Sequence, residues 1–273
     1  MKCKKLGKDE IHTIILDMAK IIHGIMERNE IPYYMLGGSI LGAVRHRGFI
    51  PWDDDFDIGV PRNYWEKMIE ALDRELPQYY RFINYERSSG LFLGIGKIEY
   101  VNSKVHEFIY KDVPEKDKLG LTIDIFPLDQ ISLPFPAYRR IRFYQRLQFL
   151  LFSISKHDTI SKKICRFFSR LLLRTCFKIP KNSLPRKIDR LAIKKSDPNG
   201  TFYLSTWSHY YLNVASLEVY GMPTKYPFEN TFFYGPEHAD EYLKGLFGDY
   251  MKLPPKEKQV YHSEDVFLIE QGE

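Results

Sequence analysis

Two motifs within a stretch of 23 residues constrain this chain more strongly than any other feature. The first is Leu-Gly-Gly-Ser at 36–39, and the second is an acidic run at 50–58 with aspartates at positions 53, 54, 55 and 57. A glycine turn between an apolar strand and a helix start presents backbone N–H groups to an anion. Carboxylates two residues apart share one face of a strand, where they repel each other unless a cation neutralises them. Together the motifs predict a metal-assisted phosphate site.

The acidic run predicts a strand with two unlike faces. Alternation places the odd-numbered aspartates on one face, opposite Phe56 and Ile58. Carboxylates suit Mg²⁺, with Mn²⁺ as a substitute, and Mg²⁺ takes its remaining ligands from water and from substrate phosphates. A solvated acidic turn is the alternative interpretation, but such a turn has little use for the apolar side chains of Phe56 and Ile58.

The surrounding patterns predict helices and strands in irregular order. Apolar residues spaced three and four apart over Ile11–Met26 predict an amphipathic helix that ends before Pro32. Strands are predicted at 33–36, 94–100 and 121–126, and further helices at 39–47 and 64–76. Ser39 is a good N-cap for the second helix, and Pro127 should close the last of these strands. Strands and helices mixed in this way predict an α+β fold with a mixed sheet.

Charge divides the chain unevenly, although the net charge is only +5. Between Pro134 and Lys195 there are 17 Lys/Arg and only two Asp, whereas the rest of the chain carries 23 Lys/Arg and 33 Asp/Glu. Basic and apolar residues interleave there with helical spacing, which is typical of helices that dock on an anionic membrane surface. A solvated basic face over the core is the alternative, and no nucleic-acid-binding module is recognisable. We expect a core at 1–133, a basic and mainly helical insert at 134–198, and an aromatic-rich part at 199–273 that completes the domain.

Composition argues against several classes of protein. A hydrophobic fraction of 44% is ample for a core, so global disorder is not expected. The first residues lead into a charged helical pattern rather than a signal segment, and no apolar run approaches the roughly 20 residues that span a bilayer. Three cysteines without paired spacing indicate free thiols in a reducing compartment. We therefore expect a cytoplasmic protein, bound peripherally at the inner face of the cell membrane.

The two motifs resemble those of a known family. The run from Leu-Gly-Gly-Ser at 36 to Trp-Asp-Asp-Asp-Phe-Asp-Ile at 58 is similar to the signature of the LicD family, and so are the segments Ile123–Asp129 and Phe247–Pro255. LicD proteins are phosphocholine transferases that decorate bacterial surface glycans, and fukutin-type ribitol-phosphate transferases are more distant relatives. The resemblance implies the nucleotidyltransferase fold of the polymerase β superfamily, here a mixed-sheet core that carries the basic helical insert.

The resemblance also implies which residues carry the chemistry. The paired carboxylates of the fold match Asp55 and Asp57, and the third carboxylate matches Asp124, which would act as metal ligand, as base, or as both. The pyrophosphate of the substrate would be contacted by the glycine motif, through Gly37, Gly38 and Ser39.

Two basic residues are further candidates for phosphate binding. Arg45 offers bidentate donors to phosphate, but it could equally complement the dipole at a helix end. Lys97 follows two glycines on a predicted strand and could reach phosphate, although an edge-strand lysine is just as plausible.

The reaction implied by the resemblance moves a phosphoryl-alcohol group, in the first place phosphocholine from CDP-choline, to a sugar hydroxyl and releases CMP. The acceptor would be a lipid-linked or surface-glycan precursor, such as that of lipopolysaccharide or teichoic acid. Two other functions stay open: a nucleotidyltransferase that moves NMP to a small molecule and releases pyrophosphate, and a catalytically inactive membrane-associated scaffold. Three mutually repelling aspartates argue against the scaffold, which would not need them.

Overall fold

The computed structural model of the chain describes residues 2–88, 93–107, 119–132, 138–152, 168, 183–205, 213–259, 261 and 263–270. The helices are α1 (Lys8–Arg28), α2 (Gly37–His46), α3 (Trp65–Glu75), α4 (Tyr138–Phe152), α5 (Ser183–Lys195), α6 (Leu217–Tyr220) and α7 (Ala239–Phe247). The strands are β1 (Lys2–Lys5), β2 (Tyr34–Met35), β3 (Asp57–Pro61), β4 (Tyr80–Ile83), β5 (Gly96–Tyr100), β6 (Ser103–Glu107), β7 (Thr122–Ile131), β8 (Phe202–Ser205), β9 (Asn213–Ser216), β10 (Thr224–Phe228), β11 (Thr231–Gly235) and β12 (Ser263–Glu270). Short 3₁₀ helices lie at Arg62–Tyr64 and Lys256–Lys258.

A mixed sheet forms the centre of the described structure. Its strand order is β2–β3–β7–β5–β4, and β8 and β9 extend it from the second half of β7. β3 and β7 run parallel, whereas the other described pairings in this sheet are antiparallel. The predicted mixed sheet with helices is therefore confirmed. β5, which carries Lys97, lies between β4 and β7, so the alternative of an edge-strand lysine is wrong.

The strand β7 corrects one prediction from the sequence. Pro127 is expected to close this strand, but the strand continues to Ile131. On one side, β7 pairs with β5 as far as Ile125 and with β8 only from Asp129 onward. Pro127 lies between these two pairings, where a residue without a backbone N–H is tolerated.

The apolar core is built around the same sheet. α1 packs against α3 and β7, and the predicted apolar face of α1 buries Ile15 and Met18 completely while leaving Ile14 partly exposed. α1 ends at Arg28, before Pro32, as predicted. A smaller apolar cluster joins α4 and α5 to the junction of β7 and β8, through Ile131, Ile141, Ile188 and Leu204.

The carboxyl-terminal part holds several elements that the sequence patterns do not predict. β10 and β11 form a hairpin that contacts α2, and α7 packs against α2 as well. β12 lies between β1 and β6 in a second, antiparallel sheet. In the basic segment, 138–152 and 183–195 are helical as predicted, and nearly all of 153–182 lies outside the described residues.

Candidate active site

The candidate site begins where the acidic run enters the central sheet. The run opens with a turn, continues without regular structure, and becomes β3 only at Asp57. The prediction of a strand along the whole run is therefore wrong, because β3 meets its partners β2 and β7 only from Asp57 onward. The expected alternation nevertheless holds at the junction: Phe56 and Ile58 are buried, whereas water reaches Asp55 and Asp57.

Three neighbouring strands place Asp57, Asp124 and Lys97 in one row. Asp57 of β3 is the register partner of Asp124 of β7, and Asp124 is in turn the register partner of Lys97 of β5. Lys97 Nζ donates to Asp124 Oδ1 at 2.5 Å, and only 8% of the Lys97 side chain is exposed. The row thus contains two of the three predicted carboxylates, and the third, Asp55, lies near enough to interact electrostatically with both. The predicted phosphate ligand Lys97 pairs with Asp124.

Negative charge accumulates around this row. Desolvation raises the pKa of Asp57 well above its ordinary value. The charges of Asp124 and Asp53 raise it further, and Lys97 opposes them. Water reaches the Asp55 carboxylate, yet the protein around it also desolvates it, and with the neighbouring charges of Asp57 and Asp53 this raises the pKa of Asp55. A single lysine in the row does not neutralise this many carboxylates, so the site favours a bound cation.

The oxygen atoms of the acidic run suit a hard divalent cation. Asp53, Asp54 and Asp55 each offer one carboxylate oxygen, and these atoms lie within 4.8 Å of one another. The ligand set predicted from the sequence, Asp55 with Asp57 and Asp124, shares only its first member with this group. All of these donors are carboxylates, which are the ligands that Mg²⁺ and Mn²⁺ prefer. The residues present therefore fit the predicted metal, and the choice among the carboxylates stays a prediction.

Helix α2 starts closer to the carboxylates than the sequence predicts. It begins at Gly37 rather than at Ser39, and Leu36 is its N-cap. Gly37 has a φ of 50°, a conformation that glycine adopts more readily than other residues. A Cβ atom on Gly38 would lie 2.5 Å from Asp53 Oδ2. The two glycines therefore allow the acidic run to approach the positive end of the helix dipole.

Ser39 joins the two motifs directly. The Asp57 N–H donates to Ser39 Oγ at 2.7 Å, and the Leu36 N–H donates to Asp57 O at 3.0 Å. Ser39 is buried, so its hydroxyl fixes the start of β3 against α2 instead of capping the helix. Gly37 N–H lies 3.5 Å from the hydroxyl oxygen of Tyr242 in α7, a long contact. The helix start thus lies directly beside the carboxylate row.

Arg45 lies at the other end of α2. It is two helical turns beyond Gly37, about 12 Å along the helix axis. Its guanidinium donates to Tyr250 O at 2.6 Å and to His46 Nε2 at 2.9 Å. Burial lowers the pKa of Arg45, and burial together with Arg45 lowers the pKa of His46. The structure does not bring Arg45 together with the carboxylates. Instead, the hydrogen bond from Arg45 to Tyr250 O joins α2 to the segment Phe247–Pro255.

Residues outside the motifs also support the acidic run. The ring of His12 in α1 hydrogen-bonds Asp53 O through Nε2 at 2.7 Å and stacks on Phe49 with ring centroids 4.3 Å apart. The ring of Tyr261 is stacked with that of His12, with centroids 6.5 Å apart. The Tyr261 hydroxyl donates to Pro51 O at 2.8 Å. Sequence reasoning missed His12 because a single histidine on an amphipathic helix has no distinguishing pattern.

Comparison with known proteins gives a match to one family domain. A family model described as the LicD/FKTN/FKRP nucleotidyltransferase domain matches residues 30–135, which contain the glycine motif, the acidic run, Lys97 and Asp124. Residues 30–135 therefore form a LicD-type nucleotidyltransferase domain. The resemblance drawn from the motifs is confirmed for this domain.

Similarity to one LicD protein extends over nearly the whole chain. The lipopolysaccharide cholinephosphotransferase LicD of Haemophilus influenzae is 28% identical over 97% of this chain and 100% of its own length. A Rickettsia prowazekii protein is 34% identical over 38% of this chain and 39% of its own length. The ribitol 5-phosphate transferase FKRP of Homo sapiens is 43% identical over 16% of this chain and 9% of its own length. The first of these relationships supports a phosphotransferase enzyme.

Two further observations bear on the environment of the chain. None of the described helices combines the length and the apolar character that crossing a membrane requires. Cys3 is exposed as a free thiol, and Cys165 and Cys176 lie outside the described residues.

Proposed function

We propose that this chain is a Mg²⁺-dependent transferase that moves phosphocholine from CDP-choline to a sugar hydroxyl of a bacterial surface-glycan precursor, releasing CMP. The observation that carries the proposal is the row of Asp57, Asp124 and Lys97 beside the start of α2, inside the family's nucleotidyltransferase domain. The full-length similarity to a lipopolysaccharide cholinephosphotransferase supports choline as the alcohol and a glycan as the acceptor. The order of strands and helices around Asp57 and Asp124 supports a polymerase β-like nucleotidyltransferase core at 1–133.

The proposed reaction is an in-line phosphoryl transfer. The sugar oxygen attacks the distal phosphorus of the donor, and the bond from that phosphorus to the bridging oxygen breaks, so that CMP leaves with the bridging oxygen. Such transfers are accelerated mainly by positioning and by neutralising charge. Bound Mg²⁺ would neutralise the pyrophosphate, held by carboxylates chosen from Asp55, Asp57 and Asp124.

The protein groups of the row have separable roles in this proposal. One oxygen of Asp124 is held by Lys97 at 2.5 Å, which fixes the orientation of the carboxylate. We assign to Asp124 the acceptance of the proton from the sugar hydroxyl, with Lys97 as a positioning residue instead of a phosphate ligand. The start of α2, at Gly37 and Gly38, would attract the pyrophosphate through the positive end of the helix dipole.

The acceptor would reach the site at a membrane surface. The basic residues of α4 and α5 face solvent, among them Arg140, Arg142, Arg146, Lys187 and Arg190. Each could contribute on the order of 1 kcal/mol at an anionic membrane surface. This supports docking of the segment 134–195 on the inner leaflet, where lipid-linked precursors would be displayed.

Vesicle flotation tests the membrane part of the proposal. The chain should float with phosphatidylglycerol vesicles at low salt and remain behind with phosphatidylcholine vesicles. Arg146→Glu should weaken vesicle binding by about thirtyfold, because reversal changes two units of charge at about 1 kcal/mol each. Lys67→Glu on α3, an equal change outside the basic segment, should have little effect. Equal losses of flotation in both variants, or no flotation of the wild type, would show that the basic segment does not bind an anionic membrane.

Product analysis tests the reaction itself. The wild type is incubated with CDP-choline, CDP-ethanolamine, CDP-ribitol or CDP-glycerol, with Mg²⁺ or EDTA and a membrane-glycan extract as acceptor. We expect CMP from CDP-choline with Mg²⁺ only, and a loss on the order of 10³-fold in Asp57→Asn. Asp73→Asn is the matched control, because Asp73 is an exposed aspartate of α3 that pairs with Arg87.

The product also separates the proposal from its alternatives. Release of pyrophosphate from a nucleoside triphosphate, without CMP from any CDP-alcohol, would identify a nucleotidyltransferase. CMP from another CDP-alcohol would keep the reaction class and replace choline. Turnover that does not depend on Asp57 would contradict the assignment of the site.

A further inference from the structure

A second recess lies at the opposite end of the strand that carries Asp57. It is a cleft of about 700 Å³ that reaches Pro61 at the end of β3 and Gln130 near the end of β7. The four residue steps from Asp57 to Pro61 correspond to about 13 Å along the strand. The cleft is therefore separate from the carboxylate row, and none of the roles assigned above involves it.

Tyrosine rings dominate the walls of this cleft. The five tyrosines are Tyr33, Tyr34, Tyr64, Tyr203 and Tyr234. Several of their hydroxyl groups are engaged inside the protein: Tyr34 donates to Gly221 O at 2.8 Å, and Tyr33 lies 2.8 Å from His23 Nδ1. Tyr33 and Tyr34 are buried, so the rings that a ligand can reach are the partly exposed ones of Tyr64, Tyr203 and Tyr234.

Two carboxylates accompany the rings. Glu27 and Glu30 line the cleft and are exposed, and the Tyr234 hydroxyl donates to Glu27 Oε1 at 2.9 Å. His23 Nε2 lies 3.3 Å from Glu27 Oε2. Desolvation lowers the pKa of His23, although the charge of Glu27 opposes this shift. Among the described lining residues there is no lysine, arginine or histidine. The lining is thus negative and aromatic at once.

One nearby cation indicates which ligand these rings attract. Lys225 lies outside the lining, with its Nζ 4.1 Å from the ring centroid of Phe232 and 5.8 Å from that of Tyr234. The aromatic cluster beside the cleft therefore already holds one ammonium group against ring faces. The remaining ring surface inside the cleft offers the same interaction to a ligand.

We propose that this cleft binds an alkylated ammonium group, of which choline is the simplest probe. Such a group cannot be satisfied by hydrogen bonds, and it is stabilised by ring faces and by carboxylates, which are what the lining supplies. The ammonium group could belong to free choline or to choline already esterified to phosphate. The proposal goes beyond the transfer reaction and does not depend on it, since binding at this distance from Asp57 needs no turnover.

Calorimetry on the full chain in EDTA tests the cleft without the reaction. The titrants are choline, glycerophosphocholine as the esterified form, and 3,3-dimethylbutan-1-ol as the neutral isostere of choline. We expect one of the two trimethylammonium compounds to bind and the neutral isostere to bind at least about tenfold more weakly. The stronger of the two compounds identifies the source of the ammonium group.

Variants locate the binding. Glu27→Gln combined with Glu30→Asn removes both charges, and asparagine tolerates the positive φ of 51° at position 30. This double variant should weaken binding about tenfold, whereas Lys225→Gln should strengthen it by removing a competing cation. Asp57→Asn, at the other end of β3, should bind as the wild type does. Thermal melting shows whether each variant is folded.

Three results would overturn the proposal. The first is absence of binding by either trimethylammonium compound at millimolar concentration. The second is equal binding of the neutral isostere, which would make the cleft merely apolar. The third is binding that disappears in Asp57→Asn and persists in the double glutamate variant, which would place the cation at the carboxylate row.

Discussion

Charged side chains are arranged in opposite ways at the two ends of the parallel strand pair β3 and β7. At the start of the pair, Asp57 and Asp124 lie side by side with Lys97, next to the rest of the acidic run. Just past its other end, Arg62 donates through Nε and Nη2 to the two oxygens of Asp129 at 2.8 and 3.0 Å. The same two strands thus carry a crowded, negative row at one end and a compensated pair at the other.

The compensated end continues into the basic segment. Arg62 Nη2 also lies 2.9 Å from Asp189 Oδ1 of α5, and Tyr85 donates to Asp189 Oδ2 at 3.0 Å. Desolvation raises the pKa of the fully buried Asp129, although Arg62 opposes it. Desolvation also disfavours the charge of Arg62, but Asp129 and Asp189 outweigh it and raise the pKa of Arg62. The bidentate contact of Arg62 with Asp129 is the geometry of a charged pair.

The difference between the two ends separates stability from function. Charges that are paired within the protein hold elements together and leave nothing for a ligand to add. Charges that repel each other weaken the fold locally and are relieved when a cation arrives. Substitutions at the two ends should therefore have opposite effects on the free energy of unfolding.

The largest contrast is expected for Asp57→Asn. Turnover should fall on the order of 10³-fold, because a carboxylate of the proposed metal site is lost. Without metal, the free energy of unfolding should rise on the order of 1 kcal/mol, because one member of a repelling pair becomes neutral. Urea denaturation in EDTA measures the second effect. A large loss of stability would show that Asp57 is structural and would remove the contrast.

The next effect belongs to Arg62→Met. This substitution leaves Asp129 buried without its cation, which typically costs about 3 to 5 kcal/mol. The matched control is Arg28→Met, because Arg28 forms an ion pair with Glu75 but 63% of its side chain is exposed, and less than about 1 kcal/mol should be lost. Urea denaturation of both variants checks the comparison. Similar losses would mean that burial does not distinguish the two arginines.

The smallest effect is expected for Ser39→Ala, which removes the hydroxyl that accepts the Asp57 N–H. The loss should be about 1 kcal/mol, the usual contribution of one hydrogen bond. Thr13→Ala is the control, because the Thr13 hydroxyl donates to Asp9 O on the exposed face of α1 at 2.7 Å. Turnover should fall in Ser39→Ala because the hydrogen bond from the Asp57 N–H positions Asp57. Unchanged turnover would show that Ser39 contributes to stability alone.

The sequence predicted the carboxylates of the row but not their geometry. Local patterns identified these carboxylates and helix α1, because alternation and apolar spacing can be recognised within short segments. They misplaced the start of α2, since glycine has a low helix propensity and Gly37 does not look like a helical residue. They also predicted that β7 ends at Pro127. The strand continues because its partner changes from β5 to β8, and β8 lies far away in the chain.

Other parts of the molecule were beyond local patterns altogether. Asp189 is one of only two acids in the basic segment, and nothing in its sequence neighbourhood points to Arg62. His12 reaches the acidic run only because α1 packs beside it. The cleft combines Glu27, Tyr64 and Tyr203 from three separate segments, so it exists only after the chain has folded.

The position of β7 at the centre of the sheet has a consequence for how the chain acquires its structure. β7 is joined to residues just outside β3 and β8 by contacts such as Arg62–Asp129 and Gln130–Gly200, whose partners are 67 and 70 positions apart. Contacts of such long separation slow folding, because the intervening chain must be ordered before they form. On the ribosome, β7 therefore waits for β8 to be synthesised before its second half is paired. The carboxylate row and the Arg62–Asp129 pair join residues that all precede β8, so neither has to wait for the synthesis of β8.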